Sequence, residues 1–190
     1  MRTKVQAGAG LVARAGDGLL VAPGEVSMDS LQPLLTTLDE VCGTEAGAGR
    51  NLVRRVVGHL VTADPEAVPD FAVLAPTGEG WAVLLHGAVE LVIVRAAGEE
   101  RLDGRAAATW VDRLLPADVT GFAAGAPGVT AGEPPGPFDL RAGIVPGAGA
   151  VMAAGAATGA PPAADRPVAQ AGAAAAHAAA APPARPAAPA

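Results

Sequence analysis

Residues 71 to 94 read FAVLAPTGEGWAVLLHGAVELVIV, the densest apolar segment of the chain. Phe71 to Ala75 is a β-type run ended by Pro76. Thr77-Gly78-Glu79-Gly80 supplies a turn, because glycine takes positive φ without a Cβ clash. Trp81 to Leu85 continues apolar, His86-Gly87 breaks the pattern, and Val89 to Val94 resumes it. Two runs joined by a four-residue loop predict an antiparallel hairpin. The third run is read either as a further strand or as a bent continuation of the second. Near-continuous apolarity implies burial on both faces, or one face under helices and the other under a loop.

Outward from this segment the chain divides by composition. From Ala153 to the end it is almost entirely Ala, Pro and Gly, with Val168 its only large apolar side chain. Such a segment cannot offset the entropy of ordering and is read as a disordered or partly polyproline-II linker. Ala171 to Ala181 has high helix propensity, but its length and the flanking prolines keep a helix marginal. The division is therefore a flexible stretch over residues 1–9, a domain over 10–152 and a tail over 153–190.

Upstream, Leu11 to Arg14 and Gly18 to Ala22 flank the turn signal Gly16-Asp17-Gly18 and predict a first hairpin. Ser27 or Asp29 can cap a helix carrying Leu31, Leu34, Leu35, Leu38 and Cys42 at helical spacing, with Pro33 placed in its first turn and Gly43 as its stop. A second helix is predicted from Arg50 to Thr62, with Leu52, Val53, Val56, Val57, Leu60 and Val61 on one broad face.

Downstream, Ala97 to Glu100 reads as a turn and Arg101-Leu102 as a brief edge strand. Gly104 to Leu115 reads as a short helix, with a strand over Thr109 to Leu114 as the competing reading. Val119 to Ala123 reads as a strand, Ala126 to Pro137 as a Gly/Pro loop, and Phe138 to Val145 as a last strand. Segregated helices and strands favour an α+β fold: a small antiparallel sheet packed against two helices.

The charge is −6 with no long acidic block and no clustered basic surface, which argues against a nucleic-acid partner. Arg50, Arg54 and Arg55 are the only tight basic group and fit a solvated helix face. The single cysteine, Cys42, excludes an internal disulfide and zinc-type spacing, and is read as a buried inert thiol. No segment reaches the ~18 apolar residues of a membrane span and no signal-peptide core is visible, so a cytoplasmic chain without membrane contact is expected.

Chemistry has few places to reside. His86 with Asp17, or with Glu90, would make an acid–base pair, against the plainer reading of His86 as a structural histidine. Ser27 and Ser30 are the only serines, and both suit helix capping better than nucleophilic attack. Glu99, Glu100 and Asp103 fit a solvated turn rather than a hard-metal loop. Gly147-Ala148-Gly149 lacks the third glycine and the helix of a phosphate loop. Trp81 and Trp110 are read as core anchors. No catalytic, cofactor or metal residue is assigned.

The order hairpin, two helices, hairpin resembles the first half of PPM-type metal-dependent Ser/Thr phosphatases, over residues 11 to 115. That family carries an Asp-Gly after an early strand and a Gly-Asp at a later hairpin. The corresponding positions here read Val21-Ala22-Pro23-Gly24 and His86-Gly87, so the resemblance implies a metal-free, inactive copy. Phe71 to Thr77, Val83 to Gly87, Gly104-Arg105, Thr109 to Arg113 and Phe138 to Gly147 resemble the N-terminal region of actinobacterial forkhead-associated (FHA) domain proteins, over residues 10 to 152. That architecture continues through a Pro/Ala-rich linker to a phosphothreonine-binding domain. The Gly-Arg…Ser-x-x-His…Asn set for phosphothreonine is missing here, so phosphopeptide binding is not carried over.

The expectation is a non-catalytic interaction or scaffold module, signalling-related, with a protein partner of unknown identity. The alternatives are a degenerate phosphatase-like domain or enzyme of unknown substrate on the Asp17/His86 side of the sheet, or a purely structural spacer. Because the tail offers no core, its removal is expected to leave the melting temperature of the domain unchanged in a thermal-denaturation comparison. A large drop on truncation after Met152 would move the domain boundary.

Overall fold

The computed structural model of the protein describes residues 1–132 and 139–154. Its chain order is β1 (Arg2–Gln6), β2 (Gly10–Ala15), β3 (Gly18–Pro23), α1 (Met28–Cys42), α2 (Gly49–Thr62), β4 (Phe71–Thr77), β5 (Gly80–His86), β6 (Glu90–Arg95), β7 (Gly98–Asp103), β8 (Val111–Pro116), β9 (Val119–Gly125), β10 (Gly143–Pro146) and β11 (Gly149–Ala153). The architecture is α+β. Every named strand pair is antiparallel, in two sheets ordered β10-β2-β3-β4-β5-β8 and β1-β11-β9-β6-β7. The single small sheet expected from sequence is thus corrected: the helices cover one face of the six-stranded sheet, and the five-stranded sheet covers the other.

The β4–β5 hairpin explains why. Phe71 to Ala75 are all fully buried, so both faces of β4 are covered. Alternate residues point to opposite faces. Across the sheet, Val12, Val21, Ala72 and Leu85 stand in register and face the second sheet. The adjacent row, Ala13, Leu20, Val73 and Leu84, faces the helices. From the second sheet, Leu91, Ile93, Phe122, Ala124, Ala150 and Met152 complete the layer between sheets. Trp81 lies partly buried there, its ring edge-on to Phe122 at 4.9 Å.

Polar ties close both edges of this layer. Arg113 on β8 reaches Glu100 on β7 at 3.2 Å. Arg14 on β2 donates to Thr3 Oγ1 on β1 at 2.8 Å, and also to the carbonyls of Leu140, Met1 and Gly16. A guanidinium with five donors suits such a multi-segment clamp.

The helices follow their sequence signals. Ser27 caps α1 by accepting from the N–H of Asp29, and Gly43 ends it. Pro33 sits in the second turn rather than the first, and the Thr37 hydroxyl donates to its carbonyl at 2.8 Å. Gly49 starts α2 where a Cβ would strike the carbonyl oxygens of Ala75 and Pro76, so only glycine lets the helix approach β4 this closely. Gly16 has φ +52° in the β2–β3 turn and lies against the Cys42 carbonyl.

Several expectations are corrected. Residues 2 to 6, expected to be frayed, form β1, because Arg2 to Gln6 pair with Ala153 to Gly149 at the far end of the domain. Of the two readings of the Val89 to Val94 run, the further strand holds: it is β6 (Glu90–Arg95), sent into the second sheet by the Gly87 turn at φ +73°. Glu99 and Glu100 belong to edge strand β7 rather than to a turn. The helix read over Gly104 to Leu115 is a one-turn 3-10 segment, Gly104–Ala106, followed by β8, as the competing reading had it. Strand β10 is shorter than expected, and β11 was not anticipated. Residues 133–138 of the Gly/Pro loop and last strand, and the tail from 155, lie outside the described residues.

Core and rim positions should therefore respond differently. Leu20→Ala, at a fully buried site, should lower unfolding free energy by about 3 kcal/mol in urea titration. Leu114→Ala, at a side chain 52% exposed, should stay within ~0.5 kcal/mol of the parent.

Candidate functional site

The register separates the proposed acid–base pair. His86 stands opposite Phe71, whose neighbour Ala72 pairs with Val21 near the C-terminal end of β3. Asp17 precedes the N-terminal end of β3. The two thus sit about five residues apart along the strands and two strands apart across the sheet, roughly 19 Å at ~3.3 Å per residue and ~4.8 Å per strand. No pocket among those described contains both.

Each member has its own contacts. The His86 ring stacks on Phe71 with centroids 5.8 Å apart, and its Nδ1 lies 3.1 Å from the Pro69 carbonyl oxygen. Asp17 is exposed, 3.9 Å from Arg14. Glu90 is engaged elsewhere: it accepts from the N–H of Gly128 at 2.8 Å and lies 3.5 Å from Arg101 and 3.8 Å from Arg105. Arg101 in turn donates to the Val129 carbonyl at 2.8 Å. Together they hold the segment after β9 across the outer face of the five-stranded sheet, where Val129 covers Val92, Ala123 and Val151.

The remaining candidates are likewise placed. Ser27 caps α1, and Ser30 donates to the Ser27 carbonyl at 2.8 Å. Asp103 accepts from the Arg105 guanidinium at 2.7 Å and from its backbone N–H at 2.9 Å, and these bonds hold its carboxyl below the usual range. The N–H groups of Gly147 and Ala148 donate to the carbonyls of Gly10 and Gln6, and β11 follows them instead of a helix. Arg50 pairs with Glu79 and Arg55 with Glu40 on the exposed side of α2. Trp110 packs, partly buried, against the helix-side core.

The structure places the two positions at which a resemblance to PPM-type phosphatases was expected from the sequence. Gly24 follows β3 and His86-Gly87 ends β5, so both lie at one end of the six-stranded sheet. Asp70 is also there, its carboxyl against the space where a Cβ on Gly87 would stand. Among the described residues no three His, Cys, Asp or Glu side chains gather as a metal-binding group. Among them, too, no helix is long and apolar enough to cross a membrane.

Sequence reasoning passed over two features. One is the Arg14 clamp, whose partners lie as far away as Leu140. The other is an open groove of about 670 Å³ between α1 and the β10–β2 edge, lined by Ala13, Leu35, Leu38, Asp39 and Ile144 among others. Helical spacing along α1 carried the second signal: Gln32, Leu35, Thr36 and Asp39 recur at i, i+3, i+4 and i+7 beside the core stripe.

The chain matches no protein-family model, no curated protein and no solved structure.

Burial, reinforced by Asp17, pushes the Cys42 thiol from its ordinary 9.0 up to about 11. The folded state thus holds the proton more tightly than the unfolded chain. Stability from this group is intact below pH 9 and declines as pH rises from about 9 through about 11. At pH 8 a disulfide reagent such as DTNB should label the native thiol slowly and the urea-unfolded thiol rapidly. Equal rates would mean that α1 does not shield it.

Proposed function

We propose that the folded domain, from β1 through β11, is a non-catalytic interaction or scaffold module with a protein partner. On this reading it serves a cytoplasmic signalling chain of the forkhead-associated type. One observation carries the proposal: the side chains that chemistry would draw on serve the fold instead. His86 is stacked on Phe71, Glu90 anchors the segment after β9, Ser27 caps a helix and Asp103 is held by Arg105. Large apolar side chains meanwhile remain exposed at Ile144, Leu114 and Met28. The resemblance to the N-terminal regions of forkhead-associated proteins supports the signalling context. Two of the five segments that carry it, Phe71–Thr77 and Val83 to Gly87, form the central hairpin and its exit turn.

A second reading, a degenerate phosphatase-like domain, draws on the placement of Gly24 and His86-Gly87 at one sheet end with Asp70 beside them. The two readings part in one experiment. The full chain, incubated with Mn²⁺ and p-nitrophenyl phosphate, should release no nitrophenol above buffer, and calorimetry should show no Mn²⁺ binding. Turnover that Asp70→Asn or His86→Ala removes would overturn the interaction reading in favour of the enzyme.

A further inference from the structure

On the outer face of the five-stranded sheet, residues align in rows across the strands. One row runs Lys4, Val151, Ala123, Val92 and Arg101. The next runs Arg2, Ala153, Gly121, Val94 and Glu99. Each is apolar over the three middle strands and charged at the two outer ones. Both helices pack on the other sheet, yet the first row is sealed: Val92 and Ala123 have no accessible surface and Val151 has almost none. The seal is the segment after β9.

The sequence explains how that segment folds back. Ala126-Pro127-Gly128-Val129 makes a tight turn in which Pro127 fixes the first corner, Gly128 takes φ +90° at the second, and the Val129 N–H donates to the Ala126 carbonyl at 3.1 Å. The turn lays Val129 over the row, with Ala131 beside it. Of residues 126–132, Val129 alone is buried, and none belongs to a strand. Two side-chain bonds fasten them. Glu90 Oε2 accepts from the Gly128 N–H at 2.8 Å, and Arg101 donates to the Val129 carbonyl at 2.8 Å. Glu90 is 17% exposed, and it draws in both Arg101 at 3.5 Å and Arg105 at 3.8 Å. The one carboxylate therefore ties the segment and steadies the guanidinium that holds it further along. One apolar plug and two bonds place this segment at the weak end of local stability, whereas the strand beneath it, β6, is paired along its length on both sides.

We propose that residues 126–132 are a releasable strap with Glu90 as its clasp, and that the domain has a second native state in which the row of Val92, Ala123 and Val151 is bare while both sheets stay intact. Release withdraws Val129 and breaks the two bonds. It leaves the ladder and the layer between the sheets untouched, because Leu91, Ile93, Phe122 and Ala124 on the same strands point inward and stay covered. The bared row is continuous with the open one next to it, where Val94, Gly121 and Ala153 already line a groove of about 560 Å³. The strap thus switches one face of the protein between a closed form and a broad apolar one, and anything that disengages the Glu90 carboxylate favours the latter. The inference goes beyond the interaction reading and does not depend on it.

A thiol placed under the strap by Ala123→Cys in the full chain reports its release, and Cys42, shielded by α1, serves as the internal reference. Both are alkylated with iodoacetamide at pH 8, and each rate is taken relative to the same thiol in the urea-unfolded chain. The introduced thiol should react at least ~10-fold faster than Cys42. Glu90→Ala should speed it at least ~10-fold further, as loss of one hydrogen bond to a charged group does, and leave Cys42 unchanged. Glu90→Gln should fall between, because its amide oxygen still accepts from Gly128 but no longer attracts the two arginines. Val151→Cys offers a second position under the strap if Ala123→Cys does not fold. Two thiols that react in step would make the strap an integral part of the sandwich and overturn the proposal. So would an introduced thiol whose rate Glu90→Ala leaves unaltered, and so would one that reacts at the unfolded-chain rate in the parent, since the row would then have no closed state.

Discussion

Everything in this fold depends on β3 and β4 being buried on both faces. Leu19 to Ala22 and Phe71 to Ala75 have essentially no accessible surface, and none carries a polar side chain. Their backbone groups can be satisfied within the ladder, but their side chains require an apolar layer above and below. Helices supply one layer because the chain between β3 and β4 holds two amphipathic segments of helical period. A second sheet supplies the other, which forces the chain to pass repeatedly between sheets: from β1 to β2, from β5 to β6, and at each step from β7 to β11.

Those passages determine where polar residues reside. A sandwich is open at its lateral edges, and side chains there must meet both the apolar layer and water. Arg113 on edge strand β8 and Arg14 on β2, next to edge strand β10, flank this layer in line with the Leu19–Leu74–Val83 row between them. The long aliphatic stems of arginine extend the layer while the guanidinium groups bind across to Thr3 and Glu100. Glu90 does comparable work on the outer face of the five-stranded sheet, where it and Arg101 fasten residues 128 and 129. Ionisable side chains are few in the interior, and those that enter are committed to joining segments.

Legibility in sequence follows the range of the interaction. The hairpins at Gly16-Asp17 and Gly78-Glu79, and both helices, are local, so turn residues and period identify them. Strand β1 is ordered only by β11, some 145 residues away, and neither has a signature of its own: β11 reads GAVMA and merges into the alanine-rich composition that follows. Residues 104–115 misled because Trp110, Leu114 and Leu115 match helical spacing, whereas in the strand Leu115 turns inward and Leu114 outward at an edge. The same limit applies to the site. His86 and Asp17 were each visible as candidates, but only the strand register shows that they stand at opposite ends of β3. The residues that line the groove beside α1 are ordinary in type, and their convergence is a property of which strand lies at the sheet edge.

The two edges of the six-stranded sheet that the helices leave uncovered are not equivalent. At β8, Trp110 stands just before the strand and packs against the helix-side core, so the chain provides part of its own cover. The outward positions there alternate Asp112 with Leu114, which leaves a single isolated apolar group beside a charge. Exposed apolar residues scattered singly are ordinary on a protein surface. At β10 the exposed Ile144 borders an open groove whose lining includes the buried side chains of Ala13 and Leu35. The same incomplete helical cover thus leaves an ordinary surface at one edge and an open groove at the other.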